Sequence, residues 1–145
     1  KDELILAALK LRDEYFNEWL VTRVDEIVQE KYSADDFGEV SAIFDTIGEW
    51  IRGDTFYGCM FINAVAEYSS QSDPNHIMSA EHKRLVRDYI KGLAEAAGAR
   101  EPEVLSLRLN LLLEGAIVEA HVSGNAAAAS LAKEMARVFV DAACD

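Results

Sequence analysis

Asn110 and Glu114 stand one helical turn apart in a leucine-rich run. On an otherwise apolar helix such a pair can fix the orientation of a small molecule, because ligand pockets combine apolar walls with a few polar groups. Phe16, Trp19, Trp50, Phe61 and Tyr89 could supply those walls. These residues are the ligand-binding candidates. The competing reading makes the aromatics plain core and turns Glu114 to solvent.

Catalytic chemistry finds little support. His76, His82 and His121 have no companion at metal-ligand spacing, and neither HExxH nor ExxH occurs. They are expected at the surface, with no metal site and no cofactor. Gly53-Asp54-Thr55-Phe56-Tyr57-Gly58 lacks the Lys-Ser/Thr of a phosphate loop, and no GxSxG elbow appears. Cys59 and Cys144 form no CxxC, which fits a reduced, cytoplasmic protein with Cys59 buried and Cys144 at a frayed end.

The elements that must position these residues are helical. Residues 1–145 suit one domain with its own core, and an apolar content of 50% with 28% charged residues excludes a disordered chain. Spacings of three and four dominate, strand-like alternation is absent, and about six helices and no sheet are expected. The first runs from about Asp2 to Lys31, with one apolar line at Ile5, Leu9, Phe16, Leu20, Val24 and Ile27 and a second at Leu4, Ala8, Leu11, Tyr15 and Trp19. It begins with no cap before it, so the chain is expected to continue upstream of Lys1. The second follows the capping signal Ser33-Ala34-Asp35-Asp36 and ends at Arg52-Gly53-Asp54. The third, from about Gly58 to Ser70, is apolar nearly all round and is expected to be buried. Asp73-Pro74 opens the fourth, which Gly98 stops, and Glu101-Pro102 opens the fifth, which Gly124-Asn125 breaks. The sixth runs from about Ala126 to Ala143.

The fifth helix has two apolar faces. One holds Leu105, Leu109, Leu112, Ala116 and Ala120; the other holds Leu107, Leu111, Val118 and Val122. A surface helix needs one such face, so two imply burial against two bodies. On the sixth, Ser130, Lys133, Glu134, Arg137 and Asp141 form one polar stripe, and small alanines allow backbones to approach. A four-helix interface with a second copy is expected, made by Leu107, Leu111, Val118, Val122, Ala128, Leu131, Ala132, Met135, Val138, Phe139 and Ala142. Both helices lying at the centre of one larger bundle is the alternative.

The net charge of −12, from 14 basic and 26 acidic residues, leaves no cationic surface for phosphates, so this segment by itself repels nucleic acid. No apolar run reaches the roughly 18 residues of a membrane span, and no membrane partner is expected.

Lys1-Asp2-Glu3-Leu4-Ile5-Leu6-Ala7-Ala8-Leu9 resembles the junction in TetR-family transcriptional regulators where the long connecting helix leaves the helix-turn-helix. Gly58-Cys59-Met60-Phe61-Ile62-Asn63-Ala64 is similar to a motif of one large subgroup of that family. So are Ala96-Ala97-Gly98-Ala99 followed by Pro102, and Leu112-Leu113-Glu114-Gly115-Ala116. The resemblance covers nearly the whole chain in order and spacing. It implies an all-helical homodimer with a small-molecule effector pocket in each core and no enzymatic activity. It also implies DNA binding only through an N-terminal helix-turn-helix that this sequence lacks, with repression as the family's common habit. A helical homodimeric interaction module without a ligand is the alternative function.

Overall fold

In the computed structural model, residues 1–35 and 37–144 are described. Among them the chain forms helices and no strands: α1 (Asp2–Lys31), α2 (Gly38–Ile51), α3 (Met60–Glu67), α4 (Pro74–Ala96), α5 (Pro102–Ser123) and α6 (Ala128–Ala143). Of the capping signal expected before α2, Asp36 lies outside the described residues, while Asp35 Oδ1 accepts from the backbone N–H of Phe37 at 2.9 Å.

The buried side chains of α1 are Leu9, Asp13, Phe16, Leu20, Val24 and Ile27, three or four apart, so one stripe faces the core. The second apolar line does not: Leu4, Leu11 and Tyr15 are exposed and Trp19 is half-buried. Asp2 and Glu3 in the first turn and Lys31 in the last complement the helix dipole. α4 starts where Asp73 accepts from the Asn75 N–H at 2.8 Å, with Pro74 needing no partner for its nitrogen. α5 stops at Gly124, whose φ of +67° suits a residue without Cβ.

α5 lies between α4 and α6, and α2 packs on both α1 and α6. The core holds Phe44, Ile43 and Ile47 of α2 with Leu105, Leu109 and Leu113 of α5 and Val140 of α6. α2 meets α6 at Gly48, where a Cβ would stand in ordinary contact, 3.4 Å, with that of Ala129. Ala128, Ala129, Ala132 and Ala136 of α6 are all buried within this chain, Ala129 against α2. Next to it, Lys133 Nζ reaches Asp45 Oδ1 at 2.6 Å, and Tyr32 donates to the same carboxylate. On the other side of α2, Glu49 takes a two-pronged bond from Arg23 of α1, both contacts at 2.8 Å, which holds its carboxyl below the usual range. The buried hydroxyls of Thr46, Ser79 and Ser106 each donate to a carbonyl of their own helix, at 2.8 Å.

α3 differs from expectation. It is shorter than the predicted span, and only Phe61 and Ala64 within it are buried. It packs against α4, and of its other apolar residues Met60 is exposed while Ile62 and Val65 are half-buried.

Candidate functional site

An aromatic cluster built from separate helices surrounds Phe16. Its ring lies 5.6 Å from Trp19, 5.7 Å from Trp50 and 5.2 Å from His82, centroid to centroid. Phe61 of α3 stacks flat on His82 of α4, at 3.6 Å and 7°. The cluster continues from Trp50 to Phe56 at 4.9 Å. Offset and edge-on rings attract through their quadrupoles as well as by area.

A cavity of about 20 Å³ opens inside this cluster, walled by Arg12, Phe16 and Leu20 of α1, Ile47 and Trp50 of α2, Cys59 before α3, Met60 and Phe61 of α3, His82, Lys83 and Val86 of α4, and Leu113, Glu114 and Ile117 of α5. That space holds about one water molecule. On its outer side a surface groove of about 440 Å³ is lined by Tyr15, Trp19, Glu49, Gly53 and Thr55 together with Arg12, Phe16 and Trp50. Arg12, Phe16 and Trp50 border both spaces and form the wall between them. The Arg12 guanidinium lies over the Phe16 and Trp50 rings, at 5.6 and 5.9 Å, and has no carboxylate partner among the described residues. A cation held by ring faces is displaced more easily than one held by a carboxylate fork.

Two polar pairs flank the cavity. His82, only 2% exposed, meets Asp13 Oδ1 at 2.7 Å through Nδ1, and Asn17 donates to the same oxygen at 3.0 Å. Burial pushes the imidazole down to about 4; the Asp13 carboxylate works against that shift, and the Lys83 and Arg12 cations add to it. The ring is therefore neutral near pH 7. Lys83 Nζ reaches both oxygens of Glu114, at 2.7 and 2.8 Å, and stands 3.4 Å from Cys59 Sγ. Among the described residues no group of three or more His, Cys, Asp or Glu could hold a metal ion.

The sequence candidates divide on this geometry. Phe16, Trp50, Phe61 and Glu114 meet at the cavity, with Glu114 paired and not free in solvent; Trp19 lies in the groove outside it. Tyr89 sits two turns beyond His82, half-buried, its hydroxyl raised by desolvation and by the fields of Asp25 and Glu39. Asn110 is half-buried, its Oδ1 buried and without a hydrogen-bond partner. Neither Tyr89 nor Asn110 lines the cavity. Sequence reasoning missed Asp13, Lys83 and Arg12, and it placed His82 at the surface. His82 is buried because it falls on the stripe Ser79, His82, Val86, Ile90 of α4.

On the outer side of α5 and α6, Leu107, Leu111, Val118, Val122, Leu131, Met135 and Val138 are exposed in this chain, with Leu111 at 72%, Val122 at 76% and Val138 at 66%. Ala142 is exposed and Phe139 half-buried, whereas Ala128 and Ala132 are covered from within. Among the described residues no helix is long and apolar enough to cross a membrane.

No family model matches the chain. It is similar to the HTH-type transcriptional regulator YjdC of Escherichia coli (strain K12), 21% identical over 117 residues that make up 81% of this chain, and equally to its Shigella flexneri counterpart. The chain thus spans 59% of the length of these relatives. Among solved structures, a TetR-family transcriptional regulator from Streptomyces coelicolor superposes with a TM-score of 0.83 at 24% identity, covering 99% of this chain and 73% of that one. A TetR-type regulator from Streptomyces avermitilis gives 0.77 at 22% identity, covering 98% and 74%. The long first helix, the cavity beneath it and the closing α5–α6 hairpin are thus set in the fold of TetR-family transcriptional regulators.

Proposed function

We propose that this chain is the effector-sensing and dimerising domain of a TetR-type transcriptional repressor. In the longer protein, a helix-turn-helix ahead of α1 reads DNA, and a small molecule in the cavity biases how α1 packs. The carrying observation is that α1 both walls the cavity and is tied across it to α4 by the Asp13–His82 bond. A ligand shifts such an equilibrium only by its differential affinity for the two packings, and about 1–3 kcal/mol is enough for switching. Paired reading heads must stand about 34–36 Å apart, one turn of DNA, so a modest change in α1 breaks the match.

The exposed apolar face of α5 and α6 is where a second copy docks. Sedimentation of the chain at micromolar concentration tests this: a dimer is expected, and a monomer contradicts it. For the pocket, a collection of small aromatic compounds is screened by thermal shift, and stabilisation by any hit should vanish in Trp50→Ala. The second reading, a homodimeric interaction module without a ligand, is favoured by the small volume of the cavity. It prevails if no compound raises the unfolding temperature.

A further inference from the structure

We infer that the surface groove on the outer side of the cavity is a second binding site, which takes a flat aromatic carboxylate with its anionic group on Arg12. This goes beyond the ligand-sensing reading above, because the groove lies outside the cavity and can fill whether or not the cavity does.

Arg12 is an uncommitted charge. The chain has 26 acidic residues against 14 basic ones, and Arg23, Arg84 and Arg137 each hold at least two carboxylates. Arg12 is half-buried and holds none among the described residues. The positions one turn away on α1 are Ala8, Leu9, Tyr15 and Phe16, none of them an acid, and Asp13 turns inward to His82. The Phe16 and Trp50 rings under the guanidinium attract its charge without using up its five N–H donors. A planar, partly desolvated fork with its donors unspent fits a carboxylate through two parallel bonds.

The groove supplies the remaining features of a site. Its volume of about 440 Å³ falls within the roughly 300–1,000 Å³ of small-molecule pockets. Tyr15 in its wall is exposed and Trp19 half-buried, so aromatic surface remains beside Arg12 for an occupant to cover. An aryl carboxylate offers both partners in one rigid plane, the carboxyl for Arg12 and the ring for Tyr15 and Trp19. Thr55, in the loop after α2, adds a hydroxyl donor at the same groove. Glu49, the one acid in the lining, is already clasped by Arg23, so its charge is offset on the spot. A cationic ligand would meet Arg12 and find that carboxylate taken.

The test uses 2-naphthoate and its neutral isostere 2-naphthamide, each titrated by calorimetry into the full chain, Arg12→Gln and Tyr15→Ser. Naphthoate should bind about tenfold more tightly than the amide, and Arg12→Gln should erase that preference. Tyr15→Ser should weaken both compounds alike and leave the preference in place. The chain's two tryptophans, Trp19 and Trp50, both border the groove, so naphthoate should also move both indole N–H resonances. That measurement needs no variant and stands even if Arg12→Gln fails to fold. An unchanged preference in Arg12→Gln, unmoved indoles, or no binding of naphthoate overturns the groove site and leaves the cavity reading intact. Sensitivity to Arg12→Gln without any effect of Tyr15→Ser would put the anion in the cavity and overturn the groove site as well.

Discussion

Asp13 and His82 share a hydrogen bond of 2.7 Å across 69 positions of sequence, and both are buried. The bond ties α1 to α4 at the cavity, and it has a pH signature. The unfolded chain takes up this imidazole proton near its ordinary value of about 6.5, the folded chain only near 4. Between those values the unfolded state binds more protons, so acidification favours it. Stability is full above about pH 6.5 and should drop by roughly 1–3 kcal/mol toward pH 4, a range set by linkage for a shift of this size. Denaturant midpoints at pH 7 and pH 5 check this, and His82→Gln, which cannot titrate, should flatten the difference.

A second prediction concerns the outer face of α5 and α6. Leu111 and Val138 make little contact within the chain, so Leu111→Glu with Val138→Glu should leave monomer stability within about 0.5 kcal/mol. The same pair should abolish association, read as a monomer in sedimentation. An unchanged dimer would mean that the contact surface lies elsewhere.

Glu114→Gln should cost about 1 kcal/mol in thermal unfolding. The Lys83–Glu114 pair is roughly a quarter exposed at each end, so solvent screens much of its attraction. The loss still leaves Lys83 beside Cys59 without its carboxylate. A double-mutant cycle with Lys83→Met isolates the coupling, which should account for most of the effect.

Gly58→Ala should destabilise more than Gly124→Ala. Both glycines have positive φ, at +82° and +67°, which costs an alanine about 1 kcal/mol. At Gly124 the new methyl meets nothing within 4 Å; at Gly58 it stands 2.8 Å from the His121 ring. The ring must turn away, and the entry to α3, with Cys59 and Phe61 at the cavity, shifts with it. Chemical denaturation of both variants gives the comparison.

Helix positions and faces were legible because they follow from local periodicity. Of the inner face expected on α5, Leu105, Leu109, Ala116 and Ala120 are buried and Leu112 is half-buried, with Leu113 buried in its stead, while Leu107, Leu111, Val118 and Val122 of the other face are exposed. Which partner a face meets was not legible. Ala128 and Ala132 of α6 were assigned to a second copy, yet both are buried within this chain. The polar heart of the site hid for a related reason. The apolar line of α1 skips from Leu9 to Phe16, and Asp13 fills that gap; His82 fills the same kind of place on α4. Each interruption was visible alone, but nothing local says that the two interruptions face each other. For α3, composition suggested burial, but a helix of 8 residues at the rim has too few neighbours to cover it.

α1 runs unbroken for 30 residues, and Asp13 divides it unequally. At 1.5 Å per residue, the stretch from Asp13 back to Lys1 is a stiff arm of about 18 Å. Pivoting at the His82 contact by about 10° would move its first turn, where Tyr68 donates to Asp2 at 2.9 Å, by about 3 Å, an amplification that comes from the rise per residue alone. A displacement too small to disturb the packing around Phe16 thus becomes, at the far tip, comparable to the separation of neighbouring atoms across a hydrogen bond.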